Sequence, residues 1–205
     1  MLDIARSEFI FGGQRSGKSR RAELLARQWL AQSVDHRAVM IATAQPWDDE
    51  MAARIAQHQA DRAERVPGMT TVEEPLALSE ALARHSQPHT LVVIDCLTLW
   101  LTNALMPVQS PAEASKDDLS MNLALNEPLA DAFTAQTAML LVAIEKSPGP
   151  VALVGNEIGL GVIPMGRETR AFVDALGRLN QDVAGACHRV TFMAAGLPLY
   201  LKGAP

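Results

Sequence analysis

At 205 residues, 48% hydrophobic and with a net charge of −5, the chain has enough apolar material for one buried core. Its acidic balance excludes a broad nucleic-acid surface, which needs a basic patch. No apolar run reaches the roughly 18 residues of a membrane span. The N-terminal Met1–Glu8 has no signal-peptide core, so a cytoplasmic protein is expected.

In chain order, a short apolar strand over 8–12 leads into Gly12-Gly13-Gln14-Arg15-Ser16-Gly17-Lys18-Ser19, and a helical pattern follows over 17–31. Gly-x-x-x-x-Gly-Lys-Ser between a strand and a helix is the phosphate-binding loop in its expected context. Its glycines let the backbone curl, its amides form an anion nest, and the helix N-terminus lies behind them. Lys18 is expected to reach the β- and γ-phosphates, and Ser19 to hold Mg²⁺.

A second strand over 38–42 ends in Thr43-Ala44, and Pro46 breaks the chain. Asp48-Asp49-Glu50 opens a helix over 48–64, where acids suit the positive end of the dipole. A short strand over 69–72 follows, and Glu73-Glu74-Pro75 is read as the start of a helix running to Arg84. The run over 90–95 is an unbroken apolar strand suited to a parallel sheet, and 97–106 reads as helix. Residues 107–120 are polar with prolines and read as a flexible insertion. Then come a helix over 127–146, a strand over 151–154, a helix over 168–186, and a hairpin of strands over 189–194 and 197–202. This alternation predicts a single three-layer α/β domain of the P-loop NTPase type, with a largely parallel sheet and a C-terminal hairpin. Cys96 and Cys187 lie in apolar contexts and read as small buried hydrophobes in a reducing compartment.

Ligands of open α/β sheets bind beyond the carboxyl ends of the strands. Asp95 ends its strand as a Walker B acid would, opposite Ser19 on Mg²⁺; its structural alternative is a helix N-cap. Thr43 ends the second strand, as a ligand contact or as a turn residue. Asn156 and Glu157 form a polar pair at a strand end, with Gly159 and Gly161 beyond them. Arg54, His58 and Arg62 share a helix face, where a histidine between arginines can accept a phosphoryl or nucleotidyl group. On residue physics alone, a helical histidine is more often solvated or packed. Arg167 and Arg170 suit a phosphate contact or an ordinary helix start.

The ordered series resembles the bifunctional adenosylcobinamide kinase / adenosylcobinamide-phosphate guanylyltransferase family of cobalamin synthesis. It comprises the phosphate loop, Ile41-Ala42-Thr43-Ala44, Asp48-Asp49-Glu50-Met51 running to His58, Val72-Glu73-Glu74-Pro75, Ile94-Asp95-Cys96-Leu97-Thr98-Leu99-Trp100 and Asn103. It continues with Asn156-Glu157-Ile158-Gly159-Leu160-Gly161-Val162-Ile163-Pro164 and Arg167-x-x-Arg170-x-Phe172-x-Asp174-x-x-Gly177-x-x-Asn180-Gln181, so it covers nearly the whole chain. The resemblance implies that His58 is the residue that becomes guanylylated. It implies GTP contacts at Gly12–Ser19, Ala42, Thr43, Ala44, Gln59, Ala60, Asp61, Arg62, Asp95 and one of Glu73 and Glu74. Gln57 stands where many members have a second histidine. ATP or GTP as phosphoryl donor, a corrinoid acceptor and a homotrimer with the acceptor between subunits are further implications.

Two reactions at one nucleotide site are therefore expected. The acceptor hydroxyl takes a γ-phosphoryl group, and GMP then passes from GTP through His58 to the phosphorylated acceptor. A plain P-loop kinase without the histidine step is the rival reading, and a nucleotide-dependent switch with a protein partner is the third.

Overall fold

The computed structural model describes residues 3–105 and 127–204; the expected insertion at 107–120 lies outside them. The elements are β1 (Ser7–Gly12), α1 (Lys18–Gln32), β2 (Arg37–Ala42), α2 (Asp49–Arg65), β3 (Met69–Glu73), α3 (Leu78–His85), β4 (Thr90–Asp95), α4 (Leu97–Leu105), α5 (Glu127–Lys146), β5 (Val151–Asn156), α6 (Arg167–Ala186), β6 (Arg189–Ala194) and β7 (Leu197–Lys202). The seven strands form one sheet in the order β3-β2-β4-β5-β1-β6-β7. All pairings are parallel except β6–β7, the expected C-terminal hairpin.

Strand residues alternate between the two faces, and each face has its own core. Phe9, Val92, Ile94, Val151 and Leu153 pack with Leu82, Trp100, Leu140 and Leu179 from α3, α4, α5 and α6. Ile10, Met40, Leu91, Val93, Ala152 and Val154 pack with Ala22, Leu25 and Ala26 of α1. This gives three layers, and it explains the unbroken apolar runs: both faces of the central strands are covered.

The boundary after β3 differs from the sequence expectation. Glu73 stays in the strand, paired with Ala42, and the Glu74 amide extends the ladder by donating to the Ala42 carbonyl at 2.9 Å. The Glu74 carboxylate then accepts from the Leu76 and Ala77 amides, closing a turn, and α3 begins only at Leu78. Acids followed by proline carry a helix-start signal, but pairing with β2 overrides it here.

A buried ion network fastens the hairpin to the sheet. Glu8 accepts from Arg21 at 2.8 Å, from Arg189 at 3.4 Å and from Thr191 at 2.7 Å. Tyr200 of β7 lies against both guanidinium groups. Three donors on one carboxylate offset the cost of burying it.

Candidate active site

The sheet register sets out the site. Along its carboxyl edge Glu73 pairs with Ala42, and Ala42 with Asp95. Asp95 pairs with Val154 of β5, and Asn156, at the end of that strand, pairs with Gly12. The Gly12–Ser19 loop, Asp95 and the Asn156-Glu157 pair thus meet at the heads of three adjacent strands, β4, β5 and β1.

The loop conformation depends on its glycines where the backbone is crowded. Gly12 has φ 152°, and a Cβ there would stand 2.3 Å from the Met193 carbonyl oxygen of β6. Gly17 has φ 99°, and a Cβ there would stand 3.1 Å from the Cα of Gly196 in the β6–β7 turn. Gly196 in turn donates its amide to the Ser16 carbonyl at 3.0 Å, so the hairpin turn braces the loop from the side. Arg15 also lies in the left-handed region, with φ 56°. Gly17 caps α1 without a side-chain hydrogen bond, which leaves the first amides of the helix to an anion. The Ser16 hydroxyl is buried and has no partner among the described residues, as expected of a group that a phosphate oxygen satisfies.

Lys18 donates from Nζ to the Gly13 carbonyl at 2.6 Å, across the mouth of the loop. Burial lowers its pKa, and the Asp95 carboxylate works against that shift. Asp95 and Ser19 are both half-buried, and together they offer a carboxylate and a hydroxyl. Hard oxygen donors of this kind fit Mg²⁺, which draws its remaining ligands from phosphates and water. Among the described residues no group of three or more His, Cys, Asp or Glu side chains forms a protein-only metal cage.

Thr43 is fully buried, and all its polar groups are engaged within the protein. Its hydroxyl donates to the Cys96 carbonyl at 2.7 Å and accepts from the Cys96 amide at 2.8 Å. Its amide donates to the Asp95 carbonyl, and its carbonyl accepts from Asn103. Thr43 therefore joins the heads of β2 and β4 and fixes the residue after Asp95, whose peptide bond to Cys96 is cis. Burial pushes the Cys96 thiol up to about 12, so it is a packed hydrophobe and no nucleophile.

Asn156 is held by its main chain: its amide donates to Thr98, and its carbonyl accepts from Asn180. The Glu157 amide donates to the Gly12 carbonyl at 3.0 Å. No local sequence signal marks the Asn180 and Thr98 contacts, although both residues sit within the family-like motifs. Arg170 donates to the Pro164 and Met165 carbonyls, which fixes the end of the loop before α6.

His58 takes no part in these hydrogen bonds. It is exposed on α2, a helix with no buried residue, and it forms no hydrogen bond or ion pair with a described residue. Its neighbours attach α2 to the edge strand: Gln59 donates to Glu73 at 3.1 Å and Arg62 to Thr71 at 3.2 Å. Asp61 is paired with Arg65, at 2.8 Å. Of the two acids left open by the sequence, Glu73 shares the edge row with Ala42 and Asp95, whereas Glu74 is occupied in its turn. Ala44 and Ala60 lie near the same edge, the first just after β2 and the second on α2 beside Gln59.

Residues 8–201 match the cobinamide kinase / cobinamide phosphate guanyltransferase family. The bifunctional adenosylcobalamin biosynthesis protein CobP of Pseudomonas aeruginosa is 42% identical over 97% of this chain and 98% of its own length. CobU of Escherichia coli, a bifunctional adenosylcobalamin biosynthesis protein, is 34% identical over 94% of this chain and 98% of its own. CobU of Salmonella typhimurium, with the same description, is 31% identical over 94% of this chain and 98% of its own. With a family match over residues 8–201 and full-length relatives in agreement, the chain belongs to the cobinamide kinase / cobinamide phosphate guanyltransferase family.

Proposed function

We propose that the protein phosphorylates adenosylcobinamide with ATP or GTP, then transfers GMP from GTP to the product through a guanylyl group on His58. The observation that carries this reading is the edge row Glu73–Ala42–Asp95, continued through β5 to Gly12, with the helix bearing His58 tied to Glu73.

In the first reaction the acceptor hydroxyl oxygen bonds to the γ-phosphorus. The bond to the leaving nucleoside diphosphate breaks, and the hydroxyl proton is released. The loop amides, Ser16 and Lys18 hold the phosphates and neutralise the charge that develops on them. Ser19 and Asp95 would hold Mg²⁺, which supplies further charge neutralisation when bound. In the second reaction a neutral ring nitrogen of His58 attacks the α-phosphorus of GTP and pyrophosphate leaves. A phosphate oxygen of the phosphorylated acceptor then displaces the imidazole and restores His58. Two in-line displacements replace one crowded encounter of two anions. Gln59 and Glu73 are assigned to the nucleotide's base or sugar end, Arg62 to its phosphates, and Ala42, Ala44 and Ala60 to the wall of the site. Asp61 positions Arg65 and Gln57, and Thr43 positions Asp95.

A homotrimer is part of the proposal. Leu197, Leu199 and Leu201 are exposed on the edge strand β7, as are Leu160, Val162, Ile163 and Met165 ahead of α6. Apolar groups at an unpaired sheet edge suit burial against another copy. Sedimentation as a monomer at working concentration would remove this part. Two buried free cysteines fit a reducing cytoplasm, and no described helix is long and apolar enough to cross a membrane.

The test is product analysis by mass spectrometry with cobinamide, Mg²⁺ and either ATP alone or ATP with GTP. Cobinamide phosphate is expected in the first mixture and cobinamide-GDP in the second. Phosphorylation without the GDP product would leave only a P-loop kinase, and nucleotide binding without either product would overturn the whole reading.

A further inference from the structure

A cavity of about 380 Å³ lies between α6 and the edge of the sheet formed by β1, β6 and β7. Its volume suits a small-molecule group, and its lining is mostly apolar with a few polar side chains, as ligand sites are. Phe11 and Glu157 form part of its wall, and both adjoin the phosphate loop: Phe11 precedes Gly12, and Glu157 bonds to Gly12 through its amide. No role assigned above to Lys18, Ser19 or Asp95 uses this space.

Two residues of α6 point to an occupant. Gly177 lines the cavity, and a Cβ there would meet nothing within 4 Å. Glycine inside a helix is destabilising relative to alanine, so it needs a reason. At Gly12 and Gly155 the reason is crowding, by the Met193 carbonyl and by the Phe9 ring. At Gly177 the protein's own packing supplies none, so the missing side chain leaves room for something else. One turn on, Asn180 lines the same cavity and is only 7% exposed. Its Nδ2 is engaged with the Asn156 carbonyl, while its Oδ1 is buried without a partner among the described residues. Gln181 adds a second carboxamide to the lining, this one exposed. Glu157 and Lys202 also line the cavity, but the Glu157 carboxylate accepts from the Gly159 amide and Lys202 Nζ donates to the Ala184 and Gly185 carbonyls. With both charges already partnered, the apolar walls and the carboxamides suit a neutral ligand that carries amides of its own.

Given the function proposed above, on which this rests, we infer that the cavity is the acceptor subsite. It receives a carboxamide arm of the corrinoid, and the acceptor hydroxyl then meets the phosphate loop past Glu157. Cobinamide suits this lining because its corrin rim carries neutral carboxamide arms and its reacting hydroxyl ends another amide-linked arm.

Gly177→Ala and Gly177→Leu test this in the full chain. Alanine removes the helix penalty and meets no atom, so its melting temperature is expected at or above that of the native protein. Cobinamide is coloured, and its binding is read by equilibrium dialysis with Mg²⁺ and a non-hydrolysable GTP analogue. Side-chain carbons that compete with a ligand for its pocket change affinity by about tenfold or more, so leucine is expected to weaken cobinamide binding and raise its KM at least that much. Alanine is expected to give a smaller loss in the same direction. Nucleotide affinity and label uptake from GTP are expected to stay within about twofold, because the phosphate loop is untouched. Unchanged cobinamide affinity in the alanine variant and in a folded leucine variant would overturn the assignment. A parallel loss of nucleotide affinity would overturn it too, because the cavity would then belong to the nucleotide. Native protein that binds nucleotide but neither binds nor phosphorylates cobinamide would refute the proposed function itself.

Discussion

Replacing Thr43 by valine keeps the shape of the side chain and removes one hydroxyl, which separates a structural role from a ligand contact. In the native protein that hydroxyl donates to the Cys96 carbonyl and accepts from the Cys96 amide, at 2.7 and 2.8 Å, with no exposure to water. The Cys96 carbonyl also accepts from the Trp100 amide, so it keeps a partner in the variant. The Cys96 amide does not. One orphaned buried donor costs roughly 1–3 kcal/mol and one lost ordinary hydrogen bond about 0.5–1.5, so the substitution should destabilise by about 2–4 kcal/mol. Thr43→Ser keeps both bonds and loses a methyl group, at about 1 kcal/mol. Urea unfolding measures the difference as a shift in midpoint with an unchanged slope. Valine within about 0.5 kcal/mol of the native protein would refute the reasoning, because surface-like tolerance is incompatible with an orphaned donor. A stable valine variant that has lost nucleotide affinity would restore Thr43 as a ligand contact.

Other substitutions give equally direct outcomes. Gly12→Ala should abolish nucleotide binding, since the added carbon would stand 2.3 Å from a backbone carbonyl; fluorescent-nucleotide titration reads it. Glu8→Ala leaves Arg21 buried without a carboxylate and Arg189 with only the exposed Asp3, and should cost about 3–5 kcal/mol in urea unfolding. Burial lowers Lys18 below its ordinary 10.5, so between its folded value and 10.5 the unfolded chain binds more protons. Over that window the nucleotide-free protein should gain stability as pH rises, while nucleotide affinity falls; Lys18→Met should abolish both trends. Burial pushes Cys96 and Cys187 up to about 12, so neither should react with a disulfide reagent at pH 8 until the chain is unfolded.

Much of this was legible in the chain because the signals were local. The loop motif, the apolar run ending in Asp95 and the acids opening α2 each depend on neighbours in sequence, and each appears where expected. Asp48 caps α2 by accepting from the Met51 amide at 2.7 Å, as a helix-start acid should. The start of α3 departs from the local signal because Glu73-Glu74-Pro75 competes with a ladder to β2 that no local window contains. The insertion of β5 between β4 and β1, which puts Asn156 and Glu157 beside the loop, is likewise a property of the sheet order. Thr43 ends a strand, which suits a ligand contact and a turn residue alike, and only its partner Cys96, just after β4, shows where its hydroxyl goes. The bracing of the loop by Gly196 joins positions about 180 residues apart, beyond the reach of any sequence pattern.

The central claim is that one chain holds a nucleotide in its phosphate loop and passes GMP through His58. Its most direct test is labelling of the protein with GTP carrying a radioactive α-phosphate, in Mg²⁺, for native protein and His58→Ala. Native protein should retain an acid-labile, base-stable label, as a phosphoramidate does, and lose it when phosphorylated cobinamide is added. His58→Ala should bind the nucleotide and retain no label. Equal labelling of both would show that another residue is the acceptor, and nucleotide binding without label in either would contradict the covalent route.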